Sequence, residues 1–105
     1  MKTVYVAGPY TNPDPIINTR NAITAGEELS QAGFIPYIPH LDYSWHLVFP
    51  HEPDFWYDYS MEWLRKCDCV LRLEGESYGA DNEVIFAQSL RIPVYLSIKE
   101  LINGQ

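Results

Sequence analysis

Cys69-Val70-Leu71-Arg72-Leu73, then Gly75-Glu76-Ser77-Tyr78-Gly79-Ala80-Asp81-Asn82-Glu83, then Val84-Ile85-Phe86-Ala87-Gln88: an apolar run, a glycine-bearing turn and a helical pattern follow one another without a break. They read as strand, turn and helix. In an open α/β sheet that order puts the turn at the carboxyl edge of the strand, where ligands sit. The spacing predicts a helix over about 81–90, so that Glu83 falls in its first turn. There, unpaired backbone N–H groups and the helix dipole favour an ionised carboxylate, which is a nucleophile in waiting.

Working outward, the remaining elements alternate. Residues 2–7 form a first strand that stops at Gly8-Pro9. A helix follows Pro15, with Ile16, Ile17, Ala22, Ile23, Ala25 and Leu29 recurring at three and four residues and Gly33 placed as a C-cap. A short strand runs from Phe34 to Ile38. Residues 39–53 read as one long connection rich in Pro, His and aromatics, a length that often marks function. A second helix runs from Pro53-Asp54 to about Lys66. The strand at 69–73 and the helix at 81–90 come next, then a strand at 93–96, and Ser97 caps a last helix from Ile98 to Asn103. The order βαβαβαβα predicts a flavodoxin-like or Rossmann-like doubly wound parallel sheet of four to five strands, ordered 2-1-3-4, in three layers α/β/α.

Composition narrows the function classes. A chain of 105 residues, 47% hydrophobic, is expected to be a single domain over 1–105 that buries roughly 65% of its unfolded surface. The formal charge is −7, with Lys and Arg scattered, so a nucleic acid polymer finds no basic stripe. The apolar runs are far shorter than the roughly 20 residues that cross a bilayer, and Met1-Lys2-Thr3 leads directly into a strand. The expectation is a cytoplasmic protein with no membrane partner. Cys67 and Cys69 would share one side if both lay in a strand, with no room for a relaxed disulfide, and they are expected to be buried or half-buried core thiols at a helix-to-strand junction.

Several constellations carry chemistry. The turn after the first strand, Gly8-Pro9-Tyr10, converges with 74–79 if the first and third strands are neighbours. Gly8 and Gly79 let backbone approach a ligand, while Tyr10, Ser77 and Tyr78 offer hydroxyls. Asp68, Glu74, Glu76, Asp81 and Glu83 crowd around one strand, and close carboxylates drive their pKa values apart, as an acid and a nucleophile require. His40, His46 and His51 match no zinc spacing, so neither a metal nor any other cofactor is expected. Trp45, Phe49, Phe55, Trp56, Tyr57, Tyr59 and Trp63 supply packing, a subunit contact or a stacking wall for a flat ligand.

These pieces, taken in order, carry a resemblance. Tyr5-Val6-Ala7-Gly8-Pro9-Tyr10, Ala32-Gly33-Phe34-Ile35-Pro36 with Pro39-His40-Leu41, Trp63-Leu64-Arg65-Lys66-Cys67-Asp68, Glu76 to Val84, Ala87 and Ile92-Pro93-Val94-Tyr95 resemble the nucleoside 2-deoxyribosyltransferase-like superfamily, within it a branch of small bacterial and phage proteins. The resemblance implies that Glu83 attacks the anomeric carbon of a nucleoside or nucleotide, that Asp68 protonates or orients the leaving base, and that Gly8, Pro9 and Tyr10 line the pocket. It also implies transfer of the sugar to another base or to water, with a homodimer or higher homo-oligomer building the pocket. Ser77, Tyr78, Gly79 and Asp81 complete the expected substrate contacts. Arg20 is the candidate for a 5′-phosphate. A nucleotide-binding or sensing module without catalysis is the alternative.

Overall fold

The computed structural model describes residues 1–105. Four strands, β1 (Thr3–Ala7), β2 (Ile35–Tyr37), β3 (Cys69–Arg72) and β4 (Val94–Tyr95), form one parallel sheet in the order β2-β1-β3-β4. The β-branched and aromatic residues of β1 suit a strand with neighbours on both sides, and Val4 to Ala7 are fully buried. Their side chains alternate between two cores. Val4 and Val6 face α1 (Pro15–Gln31), meeting Ala22, Ala25 and Leu29, and on the same side Leu101 comes from α5 (Ile98–Asn103). Tyr5 and Ala7 face the other way, towards Met61 and Leu64 of α3 (Pro53–Lys66) and Ala80 and Ala87 of α4 (Tyr78–Ser89). Each fully buried Val or Leu contributes roughly 1.5–3 kcal/mol, so the two cores hold the sheet from both faces.

Local signals set the ends of the elements. Asp14 caps α1 by accepting from Ile16 N at 2.8 Å and Ile17 N at 3.1 Å, and Pro15 takes the first helical position, where a missing N–H costs nothing. Gly33 has a φ of 94° and lets Phe34 N return to Leu29 O at 3.0 Å, closing the helix end.

Two expectations change. The connection at 39–53 is not irregular: a 3-10 turn at Pro39–Leu41 leads into α2 (Asp42–Val48). This helix has no side-chain cap and aromatic residues of middling propensity. It is held instead by Trp45, whose ring meets Trp56 edge-on at 5.1 Å and Tyr59 at 5.4 Å. Secondly, α4 begins at Tyr78, because Ser77 caps it through Ala80 N at 3.0 Å. Glu83 therefore lies in the second turn, beyond the unpaired N–H groups. Cys67 and Cys69 are free, buried thiols at the junction of α3 and β3, and they join opposite cores because Cys67 ends α3 while Cys69 begins the strand. No helix is long and apolar enough to cross a membrane.

Candidate functional site

A cavity of about 390 Å³ opens at the carboxyl edge of β1 and β3, between the loop after Ala7 and the first turns of α4. Gly8, Pro9, Tyr10, Ser77, Tyr78, Gly79 and Glu83 all line it, together with Glu76 and His40. Gly75, with a φ of 116°, is the hinge of the β3–α4 turn, and a Cβ there would meet Pro9 Cγ at 2.8 Å. The two loops are therefore packed backbone against ring. Gly79 differs: a Cβ on it would meet nothing within 4 Å, so the protein's own packing does not demand glycine and the space beside it is open to a ligand.

Glu83 is the half-buried acid of this cavity. The Tyr5 hydroxyl, from the middle of β1, donates to its carboxylate. Burial pushes the Glu83 carboxyl up to about 7, against the opposing influence of the Tyr5 hydrogen bond and the positive charge of Arg72. The expected ionisation at the helix start is thus corrected: desolvation in the second turn outweighs any help from the helix dipole. Burial, and next to it the Glu83 charge, raise Tyr5 well above its ordinary value, so its hydroxyl remains a donor.

Three expected site residues lie elsewhere. Asp68 stands at the amino end of β3, exposed, where it accepts from Thr3 N at 2.8 Å and Thr3 Oγ1 at 3.1 Å. The four-residue strand Cys69–Arg72, roughly 13 Å at about 3.3 Å per residue, separates it from the cavity. The Thr3 backbone hydrogen bond, with the Thr3 hydroxyl and Lys2, holds the Asp68 carboxyl below its ordinary value against slight desolvation, the opposite of what a proton donor needs. Asp81 is engaged by Arg72 at 3.0 Å, and the same guanidinium donates to Gly75 O at 2.9 Å and to Leu73 O. This pair braces the turn and does not line the cavity. Arg20 is exposed on α1, also outside the cavity lining.

Other residues of the site escaped the sequence reading. Tyr5 looked like one more apolar strand residue. Buried Asn18 donates to Tyr10 O at 3.0 Å and Asn12 O at 2.9 Å, and His40 Nε2 donates to Pro9 O at 2.9 Å. Together they pin the loop after β1. Burial, the larger influence, lowers the His40 pKa, so its ring is neutral at pH 7. No group of three or more His, Cys, Asp or Glu side chains is placed to hold a metal ion. His46 Nδ1 instead accepts from Trp56 Nε1 at 2.8 Å and His51 N at 3.2 Å.

Sheet order and cavity together define a flavodoxin-like α/β protein with a carboxylate-bearing pocket at the switch between β1 and β3. Residues 2–97 match the family described as "Domain of unknown function (DUF7768)", and the chain belongs to that family. Its fold is similar to that of a 2-deoxyribosyltransferase from the psychrotolerant bacterium Bacillus psychrosaccharolyticus, described as a biocatalyst for the industrial synthesis of antiviral and antitumoral nucleosides. The TM-score is 0.67 at 19% identity, over 88% of this chain and 69% of that one. No curated protein matches the chain by sequence.

Proposed function

We propose that this protein cleaves the N-glycosidic bond of a nucleoside or nucleotide through Glu83 and passes the sugar to another base or to water. The observation that carries the reading is the Glu83 carboxyl group on the cavity wall with the Tyr5 hydroxyl on it. A carboxylate of pKa about 7 is more basic than an exposed one and is half ionised near neutrality. Tyr5 fixes its direction. Attack of that carboxylate at the anomeric carbon, with departure of the base, leaves a glycosyl ester on Glu83, and a second base or a water molecule releases it. The shared fold with a 2-deoxyribosyltransferase supports the substrate class.

A second reading, a nucleotide-binding or sensing module, is favoured by one observation: Asp68 lies at the wrong edge to protonate a leaving base. Incubation with deoxynucleosides and deoxynucleotides, with and without an acceptor base, decides between the two. Base release followed by chromatography, and abolished in Glu83→Gln, supports catalysis. Free sugar without acceptor marks a hydrolase, and exchange only with acceptor marks a transferase. Saturable binding without turnover removes the catalytic reading.

A further inference from the structure

A second cavity of about 530 Å³ adjoins the first and shares Tyr10, Thr11, Pro39 and His40 with it. Its far wall belongs to α2 and α3, and its chemistry differs. Tyr43 and Trp56 give it flat aromatic surfaces, and Asp42 and His46 give it two polar groups four residues apart, on one face of α2. His46 Nδ1 already accepts two hydrogen bonds, which leaves Nε2 as the ring's remaining donor. Asp42 has one oxygen, Oδ2, bonded to the Tyr37 hydroxyl at 2.7 Å. Its other oxygen is left for a ligand. Aromatic faces, a fixed donor and a carboxyl group are what the face and edge of a nucleobase require.

The two chambers are coupled through the sheet. Tyr5 and Tyr37 pair in register on β1 and β2, Tyr5 reaching Glu83 at the first chamber and Tyr37 reaching Asp42 at the second. We propose that the second chamber takes the leaving base of the nucleoside and that Asp42 is the catalytic acid that protonates it.

This rests on the glycosidic reading of Glu83. In the step, the Glu83 carboxylate forms a bond to the anomeric carbon as the carbon–nitrogen bond breaks. The bonding pair goes to the base, and the Asp42 proton moves to a ring nitrogen or carbonyl oxygen of that base. The products are a neutral base, a glycosyl ester on Glu83 and an Asp42 carboxylate. The carboxylate then takes the proton from the incoming base or water, which restores both groups. Partial burial, the larger influence, raises the Asp42 pKa against the Tyr37 hydrogen bond, the direction an acid needs.

The test compares Asp42→Asn with wild type on two deoxynucleosides, one whose base leaves readily as an anion and one whose base does not. Asparagine still accepts from Tyr37, and circular dichroism confirms the fold. The expected result is a loss of about 100-fold or more on the poor leaving group and of only a few-fold on the good one, while Glu83→Gln loses both. Equal losses on the two substrates overturn the acid role and leave the Glu83 reading standing. If the wild type turns over neither substrate, the Glu83 reading fails and the acid role with it. Isothermal titration with free adenine and free thymine tests the chamber separately: Trp56→Ala is expected to weaken binding at least tenfold, and unchanged binding overturns the base site.

Discussion

Tyr5 and Tyr37 lie side by side on neighbouring strands, their ring centroids 5.6 Å apart, and their hydroxyls donate to two different carboxylates, Glu83 and Asp42. A single β-pair therefore sets the direction of one carboxyl group at each of two adjoining cavities. Tyr37 is itself stacked on Trp63, with centroids at 5.4 Å and rings within 16° of parallel. Strand register, rather than loop conformation, positions the acids, and rigid elements hold a site more accurately than loops do.

Glu83 is expected to contribute to activity and to stability with opposite pH dependences. Its folded pKa of about 7 lies above the ordinary 4.5, so the folded state binds the proton more tightly. Its contribution is nil below about 4.5, becomes unfavourable as pH climbs towards 7, and levels off above that at no more than roughly 3 kcal/mol. Glu83→Gln is expected to unfold at higher denaturant than wild type at pH 8 and to show no such gain at pH 4. In Asp42→Asn, where no acid titrates against the proposed nucleophile, base release should fall about tenfold per pH unit below 7, because only the ionised Glu83 would attack. Denaturation curves and kcat/KM at matched pH values check both; a denaturation midpoint of wild type independent of pH between 4 and 8 contradicts the assigned pKa.

Tyr5→Phe removes the hydrogen bond that favours the ionised carboxylate. Hydrogen bonds to charged groups contribute roughly 1.5–3 kcal/mol, so kcat/KM at pH 7 is expected to fall tenfold or more. The limb of the pH profile that belongs to Glu83 should also move upward. A lower rate with an unmoved limb assigns Tyr5 to packing alone.

Asp68→Asn is expected to leave base release within about twofold of wild type, because the strand β3 lies between Asp68 and the cavity. Its effect should appear in stability. A carboxylate held below its ordinary pKa stabilises the fold above that ordinary value and loses the contribution as pH falls through the folded pKa. The mutant's deficit should therefore shrink in acid. A large kinetic defect would restore Asp68 to the reaction.

Around α2 the surface carries Leu47, Val48 and Phe49, each about two-thirds exposed, with Trp45 and Tyr57 close by in sequence. An exposed apolar patch of this kind is expected to be covered by a second copy of the chain. Sedimentation at micromolar concentration should show a dimer, and Phe49→Ser should shift it towards monomer. Monomer alone at all concentrations rejects the subunit contact.

Alternation of strands and helices, the cap Ser97, and the convergence of Gly8-Pro9-Tyr10 with Ser77 to Glu83 were legible in the sequence, because they depend on local periodicity and on the fixed hand of parallel crossovers. Asp68 was expected beside the other acids, but in a parallel sheet the residue preceding a strand stands opposite the ligand edge, and that is where it lies. Only the tertiary structure decided the rest. The helix α2 has no cap and takes its stability from aromatic contacts with α3. Tyr5 with Glu83, His40 with Pro9 and Tyr37 with Asp42 are hydrogen bonds that depend on how separate elements pack together. The Glu83 pKa follows from the same cause. How far a carboxyl group is desolvated depends on what the rest of the chain packs around it, and no local pattern in the sequence records that.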